Sequence, residues 1–399
     1  MRLLEHQSKT LLSQFGLSFN PWTVADDPKN AAAAAQAVTY PVVLKAQVPC
    51  GGRAKAGAVK VAENVAESAL AIEELFQMQV GAHAVHSISV ERKLAFATEY
   101  YVGVAWDTVA KLPVALVAKA GGIDVESARA SDIARKNFDP RTGLTPVEGR
   151  LLCAHWGLKE RTLVQLGDTL SSLSRAFLKC DAVIAEINPL VEVEEGRLIG
   201  LDAHVEIEDD ALFRQAERLA PLGKLVTTAY GRTPTPLELE AQRIDAMDHR
   251  GVAGRVVEFD GDLALLIGGG GASLTVFDAI RKYGGKPANY CEIGGNPTEA
   301  KVAALTALLM SKPGVRRLAV IMNVVNNTRA DVIARGVLDG LAAARRDPAK
   351  TISVFRVPGS WEQEAAAIMA QAGITALGRE WSLDRAAKQA VEEALSHAN

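Results

Sequence analysis

The segment TPTP at residues 233–236 separates two parts of the chain whose hydrophobic patterns differ. After it, short apolar runs alternate with helical segments such as TEAKVAALTALLM. The apolar runs are LALLIGGGG, ANYCEIGG, RRLAVIMNVV and TISVFRVPG. Because strict alternation of strands and helices is typical of a doubly wound parallel sheet, we predict such an α/β domain over residues 241–399.

Before this segment, the pattern mixes hairpins with helices. The opening LLEHQSKTLLSQFG has a helical period that Gly16 ends, and Asp27 with Pro28 begins a second, alanine-rich helix. The runs SISVERKL, TEYYVGVAW and LPVALVAKA are typical of strands, and residues 146–178 return to a helical period. We therefore predict an α+β domain over residues 1–240.

Composition excludes several classes of protein. The 399 residues are 48% apolar and carry 44 basic against 47 acidic side chains, so we expect a folded protein that does not bind nucleic acid. The charged N-terminus is unlike a signal peptide, and no apolar run is long enough for a bilayer, which predicts a cytoplasmic protein without a membrane partner. Four scattered cysteines without a CxxC predict reduced thiols.

A lysine inside an apolar strand and a cationic loop suggest a site for phosphate. Lys45 lies within VVLKAQV, where a buried ammonium needs an anion. The loop GGRAKAGAVKV follows, and its paired glycines with Arg53, Lys55 and Lys60 can cover a polyphosphate. The loop is not a Walker A motif, because GxxxxGK[ST] is absent. The alternative for Lys45 is a strand-end lysine that extends its ammonium to water.

The segment VIAEINPLVEVEEGRLIGLDAHVEI predicts a hairpin with its turn at EEG. Pairing about Glu195 places Glu186 opposite His204 and Asn188 opposite Asp202, with all four side chains on one face. Asn188 and Asp202 offer hard oxygen ligands that suit Mg²⁺, with phosphates and water completing its shell. The alternative is a solvated polar face of the hairpin.

In the C-terminal part, polar and glycine residues follow the apolar runs. LLIGGGGASLTVFDAI predicts a strand, a glycine loop and a helix whose first amides can bind an anion. Open α/β sheets bind ligands at the carboxyl ends of their strands, so this loop, the NNT segment and a following arginine predict an anion pocket. Its candidate residues are Gly268, Gly269, Gly270, Gly271, Asn326, Asn327, Thr328 and Arg356. The alternative for NNT is a helix cap. No motif for a covalent nucleophile is visible.

Together these motifs resemble the β subunit of succinate–CoA ligase, the ATP-grasp subunit of the nucleoside-diphosphate-forming acyl-CoA synthetases. LLEHQSK is similar to the family's LHEYQAK, and VLKAQV with GGRAKAGAVKV is similar to its VKxQV with GGRGKAGGVK. EINPL, GGKPANY and the GGIDVE at 121–126 also recur. The resemblance implies an ATP-grasp domain followed by a flavodoxin-like doubly wound domain.

The resemblance also implies roles for individual residues. The implied nucleotide-binding positions are Lys45, Gly52, Arg53, Ala54, Glu91, Leu94 and Glu99. Asn188 and Asp202 fall on the family's Mg²⁺ positions, and Glu186 falls on the carboxylate near the site where nucleotide and phosphate meet. ATP or GTP is the implied substrate. CoA and a transient phosphohistidine belong to a separate α subunit, which is the implied partner.

Some positions depart from the family's pattern. His204 stands where a lysine is usual, and Gly268 stands where an asparagine binds substrate. GGGAS and N-x-T are similar instead to ATP-citrate lyase, whose asparagine, threonine and following-strand arginine hold citrate. The resemblance places these roles on Asn326, Thr328 and Arg356 of this chain. We expect the β subunit of an ADP-forming dicarboxylate–CoA ligase, with succinate as the default acid and malate or citrate as alternatives. A non-catalytic nucleotide-sensing subunit and a stand-alone ATP-grasp carboxylate–amine ligase are alternatives of other classes.

Overall fold

The computed structural model describes residues 1–119, 132–154, 157–193, 196–223, 225 and 234–396. The GGIDVE motif and the first two residues of the predicted EEG turn lie outside this part of the chain. By its internal contacts the chain divides into two compact units, Met1–Thr233 and Pro234–Asn399.

The first unit combines helices with two main sheets. Its helices are α1 (Glu5–Ser13), α2 (Pro28–Ala37), α3 (Val65–Gln77), α4 (Pro146–Ala154), α5 (Glu160–Lys179) and α6 (Leu212–Leu219). Its strands are β1 (Trp22–Ala25), β2 (Val42–Ala46), β3 (Val59–Ala62), β4 (Gln79–Val80), β5 (His83–Ala84), β6 (Ile88–Arg92), β7 (Thr98–Asp107), β8 (Leu112–Ala118), β9 (Ile133–Asn137), β10 (Ala182–Val193), β11 (Arg197–Gly200) and β12 (Ala203–Ile207).

One sheet has the strand order β1-β6-β2-β3 and is antiparallel throughout. The other has the order β11-β10-β7-β8-β9, with β12 also paired to β10. Glu186 pairs with His204 and Ile187 pairs with Ala203, which confirms the predicted hairpin register. The polar side chains of the hairpin therefore lie on one face, as the two-residue period of a strand requires.

Local sequence signals explain where α2 begins. The side chain of Asp27 accepts the backbone N–H of Asn30 at 2.8 Å, and Pro28 occupies the first turn, so α2 begins where the sequence predicts. Strand β1 was not predicted, because four residues on a sheet edge give too short an alternation to detect. The helical stretch predicted over 146–178 is two helices, α4 and α5.

The second unit is a five-stranded sheet with helices on both faces. Its helices are α7 (Pro236–Asp245), α8 (Gly271–Lys282), α9 (Glu299–Ser311), α10 (Ala330–Ala343), α11 (Pro348–Thr351), α12 (Glu362–Gln371) and α13 (Leu383–Ser396). Its strands are β13 (Val252–Glu258), β14 (Leu263–Gly268), β15 (Asn289–Gly294), β16 (Arg317–Met322) and β17 (Ile352–Arg356).

The strand order is β13-β15-β14-β16-β17. The four predicted strands, β14 to β17, are parallel, whereas the edge strand β13 is antiparallel to β15 and was not predicted. One core packs α7, α9, α10 and α12 on the sheet, and another packs α8 and α13. Because helices cover both faces, β14 and β16 are continuously apolar and buried. Among the described residues, no helix is long and apolar enough to cross a membrane.

Candidate active site

A buried network of opposite charges joins α1, β2 and the loop after β2. The carboxylate of Glu5 lies 2.7 Å from the ammonium of Lys9, 2.9 Å from that of Lys45 and 2.6 Å from the guanidinium of Arg53. Arg53 also donates to Asp202 at 2.6 Å. The side chain of Glu5 is only 1% exposed, so these contacts replace water around its charge.

Glu91, on β6, completes the network. Its carboxylate lies 2.7 Å from Lys9 and 3.1 Å from Lys45, and its side chain is also 1% exposed. Burial alone would lower the pKa of Lys45, but the carboxylates of Glu5 and Glu91 raise it above its usual value. Burial would raise the pKa of Glu5, and the three cations hold it well below the usual range. The carboxylates of Glu5 and Glu91 are therefore the anions that stabilise the buried ammonium of Lys45.

The loop after β2 is a tight turn that aims Arg53 inward. Gly52 has a φ of 69°, in the left-handed region that favours glycine, and its carbonyl accepts the N–H of Ala56 at 3.0 Å. Arg53 bonds the carbonyl of Ala46 at 3.1 Å, while Ala54 remains exposed. The loop thus bonds its own amides at Ala56, Gly57 and Ala58 and directs one cation toward Asp202.

A second polar cluster lies on the hairpin face. His204 places Nδ1 3.0 Å from Glu186 and Nε2 3.0 Å from Glu206. Tyr101 donates its hydroxyl to Glu186 at 3.0 Å. Burial lowers the pKa of His204, but hydrogen bonds to the two carboxylates raise it above its usual value. The two carboxylates therefore favour the protonated ring of His204, whose Nδ1 contact holds Glu186 in place.

The predicted metal pair is adjacent in space. The backbone N–H of Asn188 donates to the carbonyl of Asp202 at 3.2 Å, so the two residues face each other across the hairpin. Among the described residues, no group of three or more His, Cys, Asp or Glu side chains could hold a metal by itself. One carboxylate and one amide oxygen still fit Mg²⁺, which binds through few protein oxygens when substrate phosphates supply the rest.

Other predicted positions lie around this network rather than in it. Leu94 follows β6, and Glu99 lies near the start of β7, paired with Val191. Glu5 and Lys9 were not predicted as site residues. Their spacing of four on a predicted helix was the available signal, because such residues share one helix face.

In the second unit, a glycine turn joins β14 to α8. Gly269 and Gly270 have φ of 110° and 64°, which only glycine adopts readily. A Cβ on Gly268 would lie 2.2 Å from the carbonyl oxygen of Ile293, and one on Gly269 would lie 2.6 Å from the Cβ of Asn323. The glycines therefore let the loop pass close between the carboxyl ends of β15 and β16.

Thr328 lies in the loop after β16 but does not cap α10. The N-cap of α10 is Arg329, which makes no side-chain cap bond, so the alternative of a capping NNT segment is wrong for Thr328. The hydroxyl of Thr328 is 2% exposed and accepts the backbone N–H of Asn296 at 3.1 Å. The two residues that precede Thr328, Asn326 and Asn327, are exposed.

Arg356 ends β17 and is 4% exposed. It donates Nη1 to the carbonyl of Met322 and Nε to the carbonyl of Trp381 at 2.8 Å. Two backbone carbonyls thus hold the guanidinium at the carboxyl edge without neutralising it. Burial lowers the pKa of Arg356 from its usual value. The carboxylates of Glu362 and Glu380 act on it without a direct ion pair among the described residues, so a cation fixed at this edge can receive a further carboxylate.

A model described as an ATP-grasp domain matches residues 2–192, and one described as ATP citrate lyase citrate-binding matches residues 232–378. The chain has the fold of ATP citrate lyase from Methanothrix soehngenii, with a TM-score of 0.79 at 19% identity over 98% of this chain and 99% of that one. The fold and the site therefore define an ATP-grasp domain followed by a mainly parallel α/β domain.

Relatives at higher identity define the family. The chain is 33% identical over 398 residues to the ADP-forming succinate–CoA ligase β subunit of Rubrobacter xylanophilus, covering 98% of both chains. It is 34% identical over 369 residues to the GDP-forming succinate–CoA ligase β subunit of Thermus thermophilus, covering 92% of both. The chain belongs to the family of succinate–CoA ligase β subunits.

Proposed function

We propose that this chain is the nucleotide-binding subunit of an ADP-forming ligase that joins a small polycarboxylate to coenzyme A. The observation that carries the proposal is the convergence of Lys45 and Arg53 with Asp202 and Asn188. Lys45 donates to the carbonyl of Leu201 at 2.6 Å, next to Asp202 in sequence. Cations beside hard oxygens are what a magnesium–nucleotide complex requires.

The partner in this proposal is a separate α subunit with a phosphorylatable histidine. The terminal phosphoryl group of ATP passes to that histidine and then to the carboxylate of the acid. The thiol of CoA displaces phosphate from the acyl phosphate and leaves the acyl-CoA. No step requires a nucleophile on this chain, which agrees with the absence of a nucleophile motif from its sequence.

Positioning and charge neutralisation dominate such phosphoryl transfer. Lys45 and Arg53 bind phosphate oxygens and neutralise their charge. Asn188 and Asp202 would hold Mg²⁺, which would neutralise further charge on the phosphates. Glu186, held by Tyr101 and His204, is the proposed catalytic carboxylate that orients the partner's histidine.

For the acid, a hydroxylated substrate such as malate or citrate is a specific second candidate beside succinate. The match to a citrate-binding model over residues 232–378 favours it. So do buried Thr328, in the loop after β16, and buried Arg356, at the end of the adjacent parallel strand β17. The methylene groups of succinate cannot pair with a buried hydroxyl, which disfavours the plainer acid.

The test is co-expression of the chain with the α subunit of the same organism, followed by CoA-dependent ADP release with succinate, malate and citrate. We expect activity that requires Mg²⁺ and that Asp202→Ala abolishes while the complex still forms. Asp139→Ala, at an exposed ion pair, is the control and should retain activity. Release of ADP with none of the acids, or full activity of Asp202→Ala at an unshifted Mg²⁺ optimum, would contradict the proposal.

A further inference from the structure

Asn296 carries a buried amide oxygen that has no partner. It follows β15, and its Oδ1 is shielded from solvent without a hydrogen bond to any described residue. Buried polar atoms in folded proteins are nearly always paired, so an orphan acceptor points to a donor that is not part of the chain. The residue as a whole is partly exposed, so it lies close to the protein surface.

The backbone of Asn296 lies in a conformation that few residues with a side chain adopt. Its φ is 60°, in the left-handed region where glycine is free of strain and asparagine is only tolerated. Glycine would satisfy this conformation equally well and would leave no buried oxygen unpaired. A role for the amide itself explains why the position carries one.

The position of Asn296 places that amide at the proposed acid site. Its backbone N–H donates to the hydroxyl oxygen of Thr328 at 3.1 Å, which ties the loop after β15 to the loop after β16. Strand β14 lies between β15 and β16 in the sheet, so this tie passes the carboxyl end of β14. The glycine turn Gly268–Gly271 starts at that end. Strand β15 lies on one side of β14 and β16 lies on the other, so this end of β14 is a topological switch point, where open α/β sheets bind ligands.

The side chains of Thr328 and Asn296 differ in the hydrogen bonds that they can make to an acid. The hydroxyl of Thr328 accepts from Asn296, and its own proton has only a long contact of 3.5 Å to Oδ1 of Asn327, which a carboxylate can replace. The amide oxygen of Asn296 can only accept, and an alcohol is the one group of a small hydroxylated acid that donates. A methylene group in the same place would leave the oxygen unpaired.

We infer that Asn296 is a specificity-determining residue whose amide oxygen accepts a hydrogen bond from the hydroxyl group of a hydroxylated polycarboxylate. The inference rests on the proposed function, because it assigns the acid to this edge of the sheet. It deepens that function by naming the group that separates malate or citrate from succinate.

The experiment measures the affinity of the full-length chain for malate, citrate and succinate by calorimetry, in wild type and in Asn296→Gly. We expect about tenfold weaker binding of the preferred hydroxylated acid and a change within about twofold for succinate. Glycine adopts a φ of 60° freely, so the melting temperature of the variant without acid should not fall.

Thr306→Val is the matched control. Thr306 Oγ1 is another buried oxygen without a partner, on α9 and away from the strand ends. Its removal should leave all three affinities unchanged, which separates loss of a ligand contact from general relief of an unpaired atom.

Equal losses for succinate and the hydroxylated acids in Asn296→Gly, or no loss for either, would overturn the inference. In that case loss of acid binding in Thr328→Val would show that the proposed acid site still stands. Wild type that binds none of the three acids would overturn the acid site of the proposed function and the inference with it.

Discussion

The guanidinium of Arg53 donates to the carboxylate of Asp202 across 2.6 Å, although the two residues are 149 positions apart. The pair joins the loop that would cover phosphate to the carboxylate that would bind Mg²⁺. Burial and the nearby charge of Glu5 raise the pKa of Asp202, while Arg53 opposes them. A magnesium–nucleotide complex therefore has to give each charge a new partner, phosphate for Arg53 and metal for Asp202.

Replacing Arg53 separates binding of the metal from binding of the nucleotide. In Arg53→Gln, the carboxylate of Asp202 loses its cation, so Mn²⁺ alone should bind more tightly than to wild type. ATP should bind at least about tenfold more weakly, because a charge-assisted contact to phosphate is lost. Calorimetric titrations with MnCl₂ and with ATP measure both. Arg141→Gln, at an exposed pair with Asp139, is the control and should change neither. If the affinities for Mn²⁺ and for ATP changed in the same direction, the exchange of partners by Arg53 and Asp202 would be contradicted.

Lys45 is both a proposed phosphate ligand and a structural cation. Lys45→Ala leaves Glu5 and Glu91, each 1% exposed, with one cation fewer. Removal of one partner from a buried ion pair costs on the order of 3 kcal/mol. We therefore expect a lower melting temperature for the first unit in scanning calorimetry, together with weaker binding of ATP. Adding Glu5→Gln should recover part of the stability. Unchanged melting of Lys45→Ala would show that the network is not stabilising.

His204 should not accept a phosphoryl group. Both ring nitrogens lie 3.0 Å from carboxylates, Glu186 and Glu206, which leaves neither nitrogen lone pair available. We expect the chain alone to retain no label after incubation with γ-labelled ATP and Mg²⁺, and to form no acyl-CoA. His204→Gln should likewise retain no label. Alkali-stable label on wild type that disappears in His204→Gln would refute the two-subunit mechanism.

The second unit should lose an ion network in acid. Burial would raise the pKa of Asp331, but Arg329 and Arg335 hold it below its usual value. A carboxyl whose pKa is depressed by folding stabilises the fold above its unfolded pKa, about 3.9, and loses that contribution as pH falls through the folded pKa. Asp331→Asn should therefore lower the melting temperature at pH 6 and converge with wild type below about pH 4. A constant difference across this range would contradict the assignment.

Elements with a strong local pattern could be predicted from the sequence. The hairpin register follows from strand alternation about a turn, which places Glu186 opposite His204. The four parallel strands of the second unit follow from their apolar runs between helices. The edge strands β1, β3, β9 and β13 were missed because edge strands need little apolar surface, and so their patterns are weak.

The site was predicted only in part. Lys45, Arg53 and Asp202 were each singled out from residue type and neighbours, and the structure brings them together. Their buried partners Glu5 and Glu91 could not be paired with them in advance, since Glu5 lies 40 residues from Lys45 and on a different element. Asn296 gave no signal, because an unpaired atom is defined only by what surrounds it.

The sequence by itself determined the two-part organisation, the hairpin face and the residue types at the strand ends. These depend on periodicity and turn chemistry, which act over a few neighbouring residues. Only the tertiary structure decided that Arg53 meets Asp202, that Lys45 lies between two carboxylates, and that Thr328 bonds to Asn296. Each of these contacts joins residues that are distant in the chain, and which charges meet depends on how helices and sheets pack.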